Sequence, residues 1–246
     1  MNLSNKRTNN PPRMRRRSWV FMDAGDTFIY GYPTFNDAIQ DCFRAVDQEI
    51  DRKAVQNELH QFLKQNSRDH IISQELFTDY FRSLYRAVLE GLSFPGNLDH
   101  YVDYLWREWE AGRRLRLFDD AYAALQRLRE ADFRMGIISN WDGTFEKLLQ
   151  RWGVAPWFDV QVVSCMVGMA KPDIKIFEYA LAQAGIAAEQ AWYLGDQADV
   201  DLIPAKTLGM KTILVDYYYK GGVNTADFTA GSMSEAVRII LDTDAE

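Results

Sequence analysis

The chain has 246 residues, of which 47% are hydrophobic, and its formal net charge at pH 7 is −7. This length allows one large α/β domain or a core domain with a smaller one, and no apolar run approaches the roughly 18 residues that a membrane helix needs. Cys42 and Cys165 lie far apart without a CxxC neighbour, which argues against a zinc cluster and against a disulfide-built fold. The composition therefore predicts a cytoplasmic protein with no membrane partner.

Charge is spread unevenly along the chain. Residues 1–17 contain six basic residues and no acidic one. Since the net charge of the whole chain is −7, the net charge of the remaining residues is −13. This basic tail has almost nothing to bury, and we predict that it is disordered. The acidic body predicts no nucleic-acid partner for the folded part, while binding of the tail to RNA or acidic lipid stays open. His60, His70 and His100 lack the spacing of metal ligands.

The first half of the chain predicts one buried strand followed by helices. The apolar run at 18–23 reads as the strand, and residues 24–35 read as turn and loop. Residues 36–115 then carry apolar and aromatic side chains at spacings of three and four, which is typical of amphipathic helices. Pro95 and Gly96 interrupt this pattern.

From residue 116 onward, predicted strands and helices alternate. The strands are expected at 133–138, 160–165, 191–194 and 212–215, and the helices at 121–131, 144–152, 172–185, 200–208 and 234–241. Such alternation predicts an α/β fold, a doubly wound, three-layer parallel sheet of the Rossmann-like kind. Because a single strand needs a partner, the first strand must join this sheet. The predicted core is therefore 18–31 plus 116–246, with 32–115 inserted as a helical cap.

Polar residues follow several of these strands where each one ends. Asp23 comes directly after the first strand, Ser139-Asn140 ends the second, and Gly195-Asp196 ends a later one. Lys171-Pro172-Asp173 stands before a predicted helix. Open α/β sheets bind ligands at the carboxyl ends of their strands, so we expect these side chains to meet at one rim.

These segments also carry a resemblance to a known family. The motifs in chain order are Asp23-Ala24-Gly25-Asp26-Thr27, Ile137-Ile138-Ser139-Asn140, Lys171-Pro172-Asp173, and Gly195-Asp196 followed by Asp201. On them the chain resembles the haloacid dehalogenase superfamily of hydrolases, with a helical cap inserted after the first motif. The resemblance covers the whole chain beyond the tail. It implies an Mg²⁺-dependent phosphatase that cleaves a small phosphorylated metabolite through an aspartyl-phosphate intermediate.

The acidic residues have a chemistry that fits this resemblance. Asp23 is the expected nucleophile, because a carboxylate is already ionised at neutral pH and can attack phosphorus. Asp196 and Asp201 can gather with Asp23 into an acidic cluster that needs a cation, and Mg²⁺ prefers oxygen ligands. By the family's pattern the backbone carbonyl of Gly25 is a further metal ligand. Capping of the next helix is the structural alternative for Asp196 and Asp201.

The remaining motif residues are expected to bind phosphate. In the family the lysine at position 171 holds the nucleophile and the phosphoryl group together, and it offsets transition-state charge. The Ser139 hydroxyl and the Asn140 backbone N–H are expected donors to phosphoryl oxygens. Thr27 is expected at the phosphate site or as a support of the first loop, and Asp173 is expected to cap a helix or orient the lysine.

One position departs from the common phosphatase pattern. The residue two places after the nucleophile is usually an Asp that acts as general acid and base, and here it is Gly25. Loss of such an acid costs about 10²–10⁴ in rate. Three interpretations remain: Asp26 substitutes for the acid, the substrates have good leaving groups, or the protein is a catalytically weak binding protein.

A metal-independent 2-haloacid dehalogenase is a further alternative, because these enzymes also lack the acid. Asp196 and Asp201 argue against it, since they fit a metal site better than a metal-free one. Dehalogenases also favour a cap arginine for the substrate carboxylate, and none of the candidates stands out: Arg44, Arg52, Arg68, Arg82 and Arg86.

Overall fold

The structure is a computed structural model that describes residues 18–66, 71–219 and 225–244. The predictions for residues 1–17, His70 and Arg68 fall outside these described residues. The strands are β1 (Trp19–Met22), β2 (Ile29–Gly31), β3 (Leu115–Leu117), β4 (Arg134–Ser139), β5 (Phe158–Val163), β6 (Ala191–Gly195), β7 (Lys211–Val215) and β8 (Phe228–Ala230). The helices are α1 (Phe35–Arg44), α2 (Arg52–Gln65), α3 (Gln74–Gly91), α4 (Leu98–Glu110), α5 (Ala121–Glu130), α6 (Phe145–Arg151), α7 (Ser164–Val167), α8 (Ile174–Ala184), α9 (Ile203–Leu208) and α10 (Met233–Asp244).

Six strands form one parallel sheet in the order β5-β4-β1-β6-β7-β8. β1 therefore lies between β4 and β6, and the chain builds outward first on one side and then on the other. Where the strand order reverses in this way, a crevice opens at the carboxyl ends of the strands. The predicted fold class, a parallel sheet in a Rossmann-like arrangement, is confirmed, and β1 joins the sheet as expected.

The sheet is buried on both faces because side chains along a strand point alternately to opposite sides. Val20 and Met22 of β1 pack in the cluster that contains α5, α6 and α10. Trp19 and Phe21 pack on the other face in the cluster that contains α8 and α9. The result is a three-layer core, with helices covering both sides of a hydrophobic sheet.

The helices α1–α4 form a separate hydrophobic cluster, which we call the cap. Local sequence determines where several of them begin. Thr34 caps α1 in a reciprocal box with Asp37, and Ser73 and Asn97 accept hydrogen bonds from the first turns of α3 and α4. The inner faces carry residues whose helical spacing is visible in the sequence, such as Leu84 and Val88.

A short antiparallel ribbon, β2 with β3, was not predicted. It pairs Ile29 with Leu117 and Gly31 with Leu115, and the backbone N–H of Tyr32 donates to the carbonyl of Arg114 at 2.9 Å. The ribbon holds the two ends of the helical insertion side by side, next to the core. Both connections between the cap and the core therefore run through this ribbon.

The predicted helix boundaries shift at two sites. The helix expected to include Pro172 in its first turn begins instead at Ile174, because Asp173 is the N-cap and accepts a hydrogen bond from the Lys175 backbone at 3.0 Å. The helix expected from residue 200 is preceded by a π-helical turn over Ala198–Leu202. No helix within the described ranges is both long and apolar enough to cross a bilayer.

Candidate active site

Three neighbouring strands end at the same rim and carry the predicted residues there. Asp23 follows β1 directly and extends the ladder, since its backbone N–H donates to the Leu194 carbonyl of β6 at 2.9 Å. Ser139 is the last residue of β4, and Asp196 comes immediately after β6. Because β1 lies between β4 and β6, the three strand ends are adjacent.

Lys171 is the buried centre of the site. Its Nζ lies 2.6 Å from Oδ1 of Asp23 and 2.6 Å from Oδ1 of Asp201. The three residues are 2%, 6% and 0% exposed, in the order Lys171, Asp23 and Asp201. Charged groups at such depth persist when they are paired and hydrogen-bonded. One cation therefore holds two carboxylates together.

The electrostatics of this network follow from burial and from proximity. Burial alone would lower the pKa of Lys171, but the carboxylates of Asp201 and Asp23 outweigh it and raise the pKa above its usual range. Burial raises the pKa of Asp201 to about 6, although the Lys171 ammonium acts in the opposite direction. The lysine therefore stays charged at neutral pH.

Tyr193 belongs to this centre and was missed by the sequence reasoning. Its hydroxyl lies 3.0 Å from Oδ1 of Asp201 and 3.3 Å from Nζ of Lys171. Burial, followed by the neighbouring carboxylates, raises the pKa of Tyr193 well above its usual value, so it remains a neutral donor. The available signal was a tyrosine inside an otherwise apolar strand, two residues before Gly195.

The second motif positions the nucleophile and the lysine. The Ser139 hydroxyl donates to Oδ1 of Asp23 at 3.1 Å. The Asn140 side-chain amide donates to the Lys171 carbonyl and accepts from the Lys171 backbone N–H, both at 2.8 Å. This two-way pairing fixes the main chain at Lys171 and hence the origin of its side chain. The sequence reasoning had considered only the backbone N–H of Asn140.

Asp23, Asp196 and Asp201 form the acidic cluster that the spacing predicted. Each offers a carboxylate oxygen, and these oxygens lie within 4.8 Å of one another. The Gln197 backbone N–H donates to Oδ2 of Asp201 at 3.2 Å and helps to orient it. A side chain at Gly195 would collide with Asp201, whose Cβ lies 2.6 Å from the position of an added Cβ. Three hard oxygen donors at this separation fit a small divalent cation.

Asp26 and Thr27 of the first loop lie in different environments. Asp26 has a left-handed backbone with φ of 53° and lines a cavity next to Gly25. Thr27 is fully buried, and its Oγ1 has no hydrogen-bond partner among the described residues. It is absent from the cavity lining that the described residues form. The expectation that Thr27 binds phosphate therefore disagrees with its position, because its side chain is enclosed by the protein.

The cavity above this centre has a volume of about 230 Å³. Its described lining comprises Asp23, Gly25, Asp26, Ser139, Asn140, Trp141, Ser164, Lys171, Gln197 and Val200 from the core, and Ile71, Phe77, Phe81 and Trp109 from the insertion. Trp141 follows the second motif directly. The helical spacing seen in the sequence does not single out the four residues from the insertion as lining residues.

Three hydrogen bonds join the cap to the core around the cavity mouth. The Gly143 backbone N–H donates to Oε1 of Gln74 at 2.8 Å, and Trp109 Nε1 donates to Oδ2 of Asp142 at 3.2 Å. The Cys165 thiol lies 3.2 Å from the Ser73 carbonyl. Asp142 is fully buried and acts as a partner of the cap.

Comparison with known proteins agrees with this architecture. Residues 35–215 match the family model described as haloacid dehalogenase-like hydrolase. The chain is 34% identical over 133 residues to a glyceraldehyde 3-phosphate phosphatase of Methanocaldococcus jannaschii, covering 51% of this chain and 57% of that protein. A protein of the same name from Pyrococcus abyssi is 28% identical over 180 residues, covering 65% and 75%. The chain thus spans little more than half the length of the first relative.

Solved structures share the fold at low sequence identity. The magnesium-bound putative HAD-hydrolase YfnB from Bacillus subtilis matches with a TM-score of 0.70 and 17% identity, over 92% of this chain and 100% of that one. The L-2-haloacid dehalogenase RSc1362 matches with a TM-score of 0.73 and 18% identity, over 92% and 99%. Likeness at this identity concerns the fold alone.

Proposed function

Because the chain belongs to the haloacid dehalogenase-like hydrolase family, we propose that it is a magnesium-dependent phosphatase of a small phosphorylated metabolite. The observation that carries the proposal is the convergence of Asp23, Asp196 and Asp201 around one rim, with Lys171 bound to two of them. The names of the two archaeal relatives, both glyceraldehyde 3-phosphate phosphatases, support phosphoryl chemistry on a small substrate.

Asp23 is the proposed nucleophile. Its Oδ1 accepts hydrogen bonds from Lys171 and Ser139. These bonds hold the carboxylate in one orientation at the base of the cavity, where the three residues form what we call the floor. A carboxylate oxygen forms a bond to phosphorus while the ester P–O bond breaks, and the leaving oxygen departs with the bonding electrons. Water then attacks phosphorus, which releases phosphate and restores the carboxylate.

Lys171 and Ser139 stabilise the transferring group. Both lie at the floor next to Asp23 and offer an ammonium and a hydroxyl where phosphoryl charge develops. Asp23, Asp196 and Asp201 would hold Mg²⁺, with the Gly25 carbonyl as a further ligand. The ion, when bound, neutralises phosphoryl charge. Asp196 is partly exposed, which leaves a path for the ion to enter.

The proposal favours phosphate over a haloacid substrate. The four candidate arginines that the structure describes pair on the surface: Arg44 with Asp41, Arg52 with Asp37, Arg82 with Asp103 and Arg86 with Asp99. Arg114, also in the insertion, is largely buried beside Asp41. No arginine is among the described residues that line the cavity, and Arg68 lies outside the described residues. A carboxylate on the substrate thus has no arginine beside it within the described lining.

Turnover of p-nitrophenyl phosphate tests the proposal. We expect EDTA to abolish activity, Mg²⁺ to restore it, and Asp23→Asn to lower kcat by at least about 10⁴, as loss of a nucleophile does elsewhere. Asp199→Asn is the matched control, because this exposed carboxylate lies outside the acidic cluster and the rate should not change.

Other outcomes would point to the alternatives. Activity that survives both EDTA and Asp23→Asn contradicts the mechanism. Release of halide from a 2-haloacid in EDTA would identify a dehalogenase. Measurable Mg²⁺ binding without turnover of any phosphate ester or acyl phosphate would identify a binding protein.

A further inference from the structure

Part of the cavity lining is built from aromatic rings. Phe77 and Phe81 come from α3, Trp109 comes from α4, and Trp141 follows β4. We call these four residues the aromatic wall. Phe77 and Phe81 lie 4.5 Å apart between ring centroids, Phe81 stacks on Trp109 at 5.5 Å, and Trp109 stacks on Trp141 at 5.3 Å. The rings thus form one continuous surface from the cap into the core.

The charged residues of the cavity come from the core and not from the cap. Among the described lining residues, the ionisable side chains are Asp23, Asp26 and Lys171, all from the core motifs. The described part of the cap contributes Ile71 beside Phe77, Phe81 and Trp109, and these offer no charge. The one indole N–H among them, on Trp109, is already bonded to Asp142.

This division limits what can occupy the cavity beside a phosphoryl group. A hydroxylated or charged leaving group would lose its water against the aromatic wall, which is costly. The one indole N–H of this wall without a hydrogen-bond partner among the described residues, on Trp141, is itself buried. An uncharged ring would gain from burial and from ring contacts. The cavity of about 230 Å³ is below the roughly 300–1,000 Å³ of pockets for larger ligands, whereas about 150 Å³ can hold benzene.

Resting on the proposed phosphatase function, we infer that the substrate is a phosphate monoester of an uncharged phenol with a single aromatic ring. A sugar phosphate or an ester with a second charge does not fit the aromatic wall. The leaving group also suits Gly25, which supplies no proton. A phenol has a pKa of about 10, so its oxygen can leave as the anion with the P–O electron pair and take a proton from water afterwards.

Three substrates separate this inference from the function on which it rests. We expect kcat/KM for phenyl phosphate to exceed that for glyceraldehyde 3-phosphate by at least about tenfold, the scale on which an apolar pocket discriminates. Acetyl phosphate has no ring and reports the cavity floor alone. Turnover of acetyl phosphate with equal or better use of glyceraldehyde 3-phosphate would overturn the inference and leave the phosphatase in place.

Variants of the aromatic wall separate binding of the ring from leaving-group reactivity, because the parent protein and the variant are compared on the same substrate. We expect Phe81→Ala to lower kcat/KM about tenfold for phenyl phosphate and less than about twofold for acetyl phosphate. The matched control is Phe62→Ala, which removes a cap aromatic that packs on Tyr80 and is absent from the described lining. Equal losses on both substrates in Phe81→Ala would contradict a wall that recognises the ring.

Binding of phosphonates gives a measurement that does not need catalysis. By calorimetry with Mg²⁺ present, phenylphosphonate should bind at least about tenfold more tightly than methylphosphonate, and Phe81→Ala should remove most of this difference. If none of the three substrates is hydrolysed but this preference holds, the proposed function fails and the ligand class stands. Equal or weaker binding of phenylphosphonate overturns the inference, whatever the enzyme hydrolyses.

Discussion

The floor of the cavity and its aromatic wall are built by different means. The floor consists of charged and polar side chains at the ends of β1, β4 and β6, whose spacing the backbone ladder determines. The wall consists mainly of side chains from two cap helices, whose positions depend on how those helices pack. The comparison suggests a division of roles. The sheet determines the positions of the reactive side chains, whereas residues of the aromatic wall can be substituted without altering the sheet.

The largest difference between the two regions is expected from Lys171→Met. This change leaves the buried carboxylates of Asp23 and Asp201 without their shared cation, and breaking such a pair costs about 3–5 kcal/mol. Urea denaturation in EDTA should show this loss of unfolding free energy. Adding Mg²⁺ should recover part of it, because the ion would neutralise the same carboxylates.

Lys175→Met is the control for this experiment, since Lys175 is exposed in the same helix region and should cost less than about 0.5 kcal/mol. Stability of Lys171→Met equal to that of the parent protein would mean that the floor does not depend on its lysine. The proposed difference between the floor and the aromatic wall, in which only the floor depends on buried ion pairs, would then be contradicted.

Gly25→Asp should sharpen the comparison by giving the floor the acid it lacks. An added Cβ at Gly25 would meet Cζ3 of Trp141 at 3.7 Å, an ordinary contact, so the backbone there accepts a Cβ without a clash. We expect kcat/KM for an alkyl ester such as ethyl phosphate to rise about 10²-fold, as a general acid provides, with little change for p-nitrophenyl phosphate. Gly25→Asn keeps the shape without the proton and should give no such gain.

Asp26→Asn asks whether the neighbouring carboxylate already performs this role. Asp26 lines the cavity from a left-handed backbone position, which asparagine also tolerates. If Asp26 donates the proton, activity on ethyl phosphate should fall by up to about 10² while activity on p-nitrophenyl phosphate changes little. Equal losses on the two substrates would exclude an acid role.

The smallest effect is expected where the cap meets the core. Gln74→Ala removes one exposed hydrogen bond to the Gly143 backbone, and a neutral bond of this kind is worth about 0.5–1.5 kcal/mol. KM should rise about two- to fivefold with kcat nearly unchanged. Gln56→Ala is the control, because this exposed cap glutamine lies outside the described lining. A large fall in kcat instead would link the bond to catalysis.

The floor was largely predictable because most of its residues follow a strand. Asp23, Ser139 and Asp196 each come where an apolar run ends in the sequence, and parallel strand ends share one edge. Tyr193 was not found, since a strand buried on both faces does not show which aromatic residue carries a used hydroxyl. Thr27 was placed wrongly because motif spacing does not tell which way a loop side chain points.

The wall and the ribbon were not predictable for physical reasons. Helical spacing identifies the apolar face that holds Phe77 and Phe81, but it does not separate rings in the cap core from rings that line a cavity. The strands β2 and β3 have three residues each, too few for an alternating pattern. They also pair across the whole insertion, so only the folded chain reveals them.

The stacked indoles of Trp109 and Trp141 have a practical consequence. One ring belongs to a cap helix and the other to the core loop after β4, with centroids 5.3 Å apart and planes 26° from parallel. Any displacement of one body from the other must part these two chromophores. Near-ultraviolet circular dichroism and intrinsic tryptophan fluorescence should change when the two rings separate. Movement of the cap away from the core can therefore be followed without an attached label.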